Sequence, residues 1–310
     1  MRTIPFLLVL AFIAGAALSG AWMFSANKFG QVARMPETPQ TTKSPELVLA
    51  TTEPEQGDTL IFRINGTNTP SATATFGSNP VALFSFRAAL VGIIGIDAKA
   101  RTGVSTLLIK LPSGQDFRRD IIVGPRAFPV VKLILPPQLV EKGVTAEKLA
   151  FSITAKDKPT LDAVFKIFTP EIYFSQPFQE PLKRWTDVGG FGVVRESQSG
   201  GIRHLGVDLK GALGETVAAT NDGVVRFSGE LENFGKTVAV DHGMGIFSAY
   251  LHLSEILVKS GQPVKKGEII GRVGSSGEYS IEPHLHFSIK IRGSSVDPQR
   301  FLNATSKFLQ

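Results

Sequence analysis

Cysteine is absent from the 310-residue chain. Disulfides and thiolate metal sites are therefore excluded, and any metal must be held by histidine and carboxylate. The absence is compatible with an oxidising compartment without requiring one. The net charge is +6, yet the Lys and Arg residues form no dense run and no stripe interleaved with aromatics. Nucleic acid is accordingly not an expected partner, and most of these charges read as a solvated surface. The basic balance still favours anionic surroundings such as acidic lipid or an acidic cell wall. No repeat of solenoid period and no low-complexity tract occurs. Histidine, finally, is missing from the first 203 residues.

What is present points to a mainly β protein. The 31 glycines punctuate short apolar runs, which favours many strands and turns. The length suits two domains plus a leader. Met1 and Arg2 precede a stretch that is apolar from Ile4 to Phe24. A positive end followed by such a run is an export signal, and about 20 apolar residues also suffice to span a bilayer. Residues 1–26 are therefore read as a signal peptide or transmembrane anchor. As an anchor they would leave Arg2 in the cytoplasm and everything after Lys28 outside. The protein is expected in the periplasm or cell envelope, associated with the inner membrane if the leader is retained. Residues 27–50, rich in Pro, Thr, Ser and Lys, read as a linker.

Residues 51–130 carry short alternating strands: Leu60, Phe62 and Ile64 on one face, then runs around Phe84, Leu107 and Ile121. This spacing predicts an N-terminal immunoglobulin-like β-sandwich. Residues 131–172 read as a connector with a short helix, capped by Thr145 and limited by Pro159 to about three turns. From 173 to 310 the chain returns to Gly-punctuated strands, predicting a second, antiparallel β domain.

All five histidines lie in that second domain. His204 and Asp208, four apart around Gly206, converge if the segment is a strand, and Gly206 leaves room beside them. His284 and His286 alternate with Leu285 and Phe287, so both rings share one face of a strand whose other face is buried. His252 alternates with Leu251 and Leu253 and is expected to project away from both. His242 sits in the turn-like string Asp241-His242-Gly243-Met244-Gly245 and reads as structural or peripheral.

These strings, His204-Leu205-Gly206-Val207-Asp208, Tyr250-Leu251-His252-Leu253 and Pro283-His284-Leu285-His286-Phe287, occur in the order found in the lysostaphin-type (LytM-like) zinc metallopeptidases. The segment Gly261 to Gly274 resembles that family as well. The resemblance is tight over roughly 191–301. It implies an antiparallel peptidase domain over 173–310 with Zn2+ held by His204, Asp208 and His286, and with His252 and His284 as the catalytic histidines. It further implies a cell-wall endopeptidase that cuts peptidoglycan peptides. Three protein ligands would leave a fourth tetrahedral position for water, which is the mark of a catalytic zinc. Two positions depart from the family pattern: Glu282 adds an anion near the site mouth, and Ser288 stands where an acidic residue is frequent.

Two other readings compete. A catalytically inactive relative would bind peptidoglycan and activate a separate wall hydrolase; such proteins lose ligands, and here all five positions are filled. The runs Val217 to Val225 and Val264 to Val273 also look like halves of a biotinyl or lipoyl carrier. A carrier has no use for the histidine set, and no suitably placed hairpin lysine is evident.

Overall fold

The computed structural model describes residues 44–309, apart from 68, 70, 136, 198, 199, 279 and 281. The leader expected over 1–26 and most of the linker expected over 27–50 lie outside the described residues. Among the described residues no helix is long and apolar enough to cross a membrane.

Period-two alternation builds the first layers. Strand Thr59–Asn65 pairs antiparallel with Glu46–Leu49 and with Ala89–Gly95, and Leu83–Phe86 completes a four-stranded sheet. A second sheet runs Asn79–Val81, Thr73–Phe76, Gly103–Lys110, Asp116–Val123. Leu60, Phe62 and Ile64 of the first meet Leu107, Ile109, Ile121 and Val123 of the second in one buried cluster, the expected sandwich. Gly92, opposite Phe62, makes room for the ring: a Cβ there would lie 2.2 Å from it.

The outer face of the first sheet is buried too. Ile61, Phe84, Phe86, Val91 and Ile93 share a core with Phe174, Phe178, Ile291, Val296 and Phe301. Polar contacts reinforce this seam. Arg126 pairs with Asp297 at 2.8 Å, and Arg300 pairs with Glu55 at 2.9 Å and Asp58 at 2.7 Å. The Ser295 N–H donates to Asp97 Oδ2 at 2.7 Å. The sandwich is thus fused to the following sheet through a common core.

In the segment between them, Thr145 Oγ1 accepts from the Lys148 N–H and caps the helix Ala146–Ser152, as expected. Pro159 does not stop the helical path there, contrary to expectation. A π-turn, Ile153–Asp157, leads into a further helix, Lys158–Phe165, with Pro159 in its first turn. A first-turn proline needs no intrahelical N–H, so the path continues to Phe165.

The main sheet of the C-terminal half has ten strands. Its central order is Asp187–Gly189, Val207–Lys210, His284–Ile291, Ile246–Ile256, Gly235–Asp241, Gly223–Leu231, Pro263–Val264. Its pairings are antiparallel. Along His284–Ile291, Leu285, Phe287, Ile289 and Ile291 point into the central core. His284, His286, Ser288 and Lys290 take the opposite face. Leu251 and Phe247, the cross-strand partners of His286 and Lys290, lie on that same face under the helix Lys158–Phe165, where they pack on Leu161 and Phe165. One sheet face thus carries polar residues at one end and an apolar patch beneath a helix at the other.

Candidate metal centre

Strand pairing brings the first two groups together. Asp208 and His286 are direct cross-strand partners, which puts their side chains on one face. His204 reaches the same point from a different element. It is not part of one strand with Asp208, as the four-residue spacing suggested. It follows the strand Gly200–Arg203, and Val207–Lys210 begins only after a bend at Gly206. The backbone of His204 is instead paired with the preceding turn: its N–H donates to Val193 O at 2.8 Å, and its carbonyl accepts from Gly192 N at 2.7 Å. The space at Gly206 goes to a neighbouring strand. A Cβ there would lie 2.5 Å from His286 Nε2 and 2.5 Å from Ser288 Oγ.

Three atoms converge: His204 Nε2, Asp208 Oδ1 and His286 Nδ1, separated by 3.0, 2.9 and 2.9 Å. Hydrogen bonds on the far sides of the rings fix what each presents. His204 Nδ1 lies 2.9 Å from the Gly190 carbonyl. A carbonyl only accepts, so Nδ1 carries the proton and Nε2 turns its lone pair inward. His286 Nε2 lies 2.8 Å from Ser288 Oγ, which can accept its proton and leave Nδ1 as the inward lone pair. Three lone-pair atoms at this spacing repel one another unless a cation sits among them. A tetrahedral ion about 2.0–2.2 Å from its ligands sets them roughly 3.3–3.6 Å apart, so only slight opening of the triangle is needed. The residues present fit a zinc ion.

Burial disfavours a charged Asp208, whereas proton donation from the His204 and His286 rings draws its carboxyl well below the ordinary carboxylate range; a cation would take over that part where both rings turn lone pairs inward. Burial pushes His286 down to about 4, which keeps the ring neutral and able to ligate near neutral pH. Arg195 Nη2 stands 3.4 Å from Asp208 Oδ2, the oxygen turned away from the triangle.

His284 and His252 flank the triangle. His284 Nδ1 donates to the Glu282 carbonyl at 2.8 Å, and its Nε2 lies 3.7 Å from Asp208 Oδ1. Glu282 therefore contributes its backbone here. His252 is 7% exposed and packs its ring 4.9 Å from that of His284, centroid to centroid. Its Nδ1 donates to the Ser276 carbonyl at 2.9 Å. Burial first, then the His286 and His284 rings, push His252 down to about 3.

His252 does not stand opposite both its leucines, as strict alternation predicted. Its φ is +62°, and Leu253 joins the central core while Leu251 faces the helix side. On the neighbouring strand, Val238 and Lys236 are two apart, but their partners Tyr250 and Leu253 are three apart. This is a β-bulge, one extra residue that re-aims a side chain beside a site.

His242 lies elsewhere. It is fully buried, donates Nδ1–H to the Asp222 carbonyl at 2.8 Å and contacts Ser248 Oγ through Nε2 at 2.8 Å. Ser248 bonds Tyr250 Oη at 2.9 Å, and that oxygen accepts from Thr220 N at 2.9 Å. The structural reading of His242 matches this closed polar chain.

Comparison with known proteins agrees with the fold. Residues 202–298 match Peptidase family M23. The chain is 29% identical over 194 residues to a murein hydrolase activator, NlpD, of Escherichia coli, covering 59% of this chain and 50% of that protein. It is 40% identical over 95 residues to the DD-carboxypeptidase/endopeptidase Mpg of Neisseria meningitidis, covering 31% of this chain and 22% of that protein. The chain spans less than two thirds of the length of the curated relatives it matches. A crystal structure of a peptidase M23 homologue from Pseudomonas aeruginosa shares the fold, with a TM-score of 0.57 at 23% identity over 81% of this chain and 95% of that one. Residues 202–298, which hold all five histidines, form a domain of peptidase family M23.

Proposed function

We propose that the protein is a zinc metalloendopeptidase of the cell envelope that hydrolyses peptide cross-links of peptidoglycan. His204, Asp208 and His286 hold the metal, and His252 and His284 are the catalytic histidines. The observation that carries this reading is the convergence of three potential ligand atoms within 3.0 Å of one another beside two further imidazoles. Zinc in such a site polarises the scissile carbonyl and lowers the pKa of a water to about 7. The protein's own part is proton handling. His252 and His284 each give Nδ1–H to a backbone carbonyl, so Nε2 is an acceptor while the ring is neutral. Once protonated, that atom becomes a donor. One atom can therefore take a proton from water and return it to the leaving amine. Burial among apolar strands keeps His252 neutral at rest.

Relatives described as murein hydrolase activators support a second reading, in which this domain binds peptidoglycan and activates a separate hydrolase. Relatives described as outer-membrane lipoproteins support an envelope location. The full chain, assayed for bound zinc and incubated with muropeptides, separates the readings. Stoichiometric zinc with cleavage blocked by chelator is expected. Stoichiometric zinc without cleavage would favour the activator. Mass spectrometry of the products identifies the bond cut.

A further inference from the structure

We infer that Asp157, on the π-turn outside the family-matched residues, is a positioning residue for His252. Its carboxylate is 2% exposed and receives three consecutive backbone N–H groups. Oδ1 accepts from Glu232 N at 3.2 Å, and Oδ2 accepts from Asn233 N at 2.7 Å and Phe234 N at 2.9 Å. Successive N–H groups converging in this way form an anion-binding nest, and a side chain of this chain fills it. The nest is the tip of the hairpin joining Gly223–Leu231 to Gly235–Asp241.

From the tip the path to His252 is short. The Phe234 carbonyl accepts from the His252 N–H at 3.0 Å. The tip also touches the loop that holds the His252 ring. Lys236 N donates to Ser276 Oγ at 2.8 Å, and Glu278 N donates to Glu232 O at 3.0 Å. The two backbones meet without space for a side chain: a Cβ on Gly235 would lie 2.3 Å from Ser276, and one on Gly277 would lie 2.3 Å from the Asn233 carbonyl. Ser276 in turn supplies the carbonyl that fixes His252 Nδ1–H. Both nitrogens that set the ring's place, the backbone N and Nδ1, are thus tied to loops anchored by Asp157. A residue at φ +62° is strained outside such a frame, so the frame holds the bulge. The helical segment 146–165 acts as a strut for a histidine some ninety positions later in the sequence.

The inference rests on the proposed role of His252, and its test keeps the two apart. Zinc-loaded full chain is prepared as wild type, Asp157→Ala and Asp157→Asn, with 15N-labelled histidine. Asparagine can keep the two Oδ2 bonds and lose only the longer one, so its kcat and His252 tautomer should fall between those of wild type and Asp157→Ala. For Asp157→Ala we expect unchanged zinc content, kcat on muropeptides at least tenfold lower, KM within twofold, and a His252 ring that no longer holds a single Nδ1–H tautomer. Wild-type kcat and an unchanged His252 tautomer in Asp157→Ala would overturn the inference, as would loss of zinc in step with rate. If Asp157→Ala does not fold, Asp157→Asn decides: an intermediate kcat with mixed tautomer supports positioning, and a wild-type value of both overturns it. If wild type cuts no muropeptide, the hydrolase reading fails, while the His252 tautomer still decides the role of Asp157.

Discussion

Two histidines invite comparison: His242, buried just beyond the strand Gly235–Asp241, and His286, half-buried on the strand His284–Ile291. Burial pushes each down to about 4, and each touches a serine hydroxyl through Nε2. They differ in what Nδ1 meets. For His242 it is a carbonyl oxygen, which closes a chain through Ser248 and Tyr250 to a backbone N–H. For His286 it is a carboxylate oxygen and a second imidazole nitrogen, both carrying lone pairs. A satisfied histidine stiffens a core, whereas converging acceptors call for a cation. The pKa does not tell the two apart; the partners do.

The largest expected effect falls on the open cluster. His286→Ala should lose both zinc and cleavage, measured by metal content and muropeptide assay, while His242→Gln keeps its zinc. Equal metal loss in the two variants would erase the distinction. Next, His252→Ala should keep its zinc and lose roughly 10²–10⁴-fold in kcat, the usual worth of a positioned acid–base group. A wild-type rate would remove His252 from the chemistry. A smaller effect is expected at Ser288. Ser288→Ala frees the His286 ring from its orienting hydroxyl, and zinc affinity should fall about 10–100-fold in a competition titration.

The smallest effect concerns His242 and acid stability. Its folded pKa lies below the unfolded value of 6.5, so the unfolded chain binds more protons between the two. The stabilisation is complete above pH 6.5 and is lost as pH falls toward 4, about 3 kcal/mol at most. Denaturant unfolding of wild type and His242→Gln across that window should show a shallower pH slope in the variant. Identical slopes would mean that His242 is not the buried neutral group described above.

Much of this site was legible in the chain itself. With no cysteine, only histidine and carboxylate could bind a metal. The alternation of His284 and His286 with Leu285 and Phe287 correctly placed both rings on one sheet face, because side-chain direction in a strand has period two. Local pattern failed where the backbone departs from that period. His204 comes from a bend and not from the Asp208 strand, and the bulge at His252 moves Leu251 and Leu253 to different sides. Ser288, read as a departure from a family pattern, turns out to orient His286.

The sequence by itself therefore determined the elements: the donor types, the mainly β character, the order of the motifs and the face of the closing histidine pair. These depend on composition and on contacts within one strand. Only the tertiary structure decided which nitrogen each imidazole presents, since that is set by the carbonyls of Gly190, Ser276 and Glu282. It alone also joined Asp157 to the hairpin beside His252, and the sandwich to the C-terminal sheet through Phe84, Phe86 and Phe301. A backbone carbonyl has no residue identity, and a core shared across two hundred positions has no period, so neither leaves a local trace in the chain.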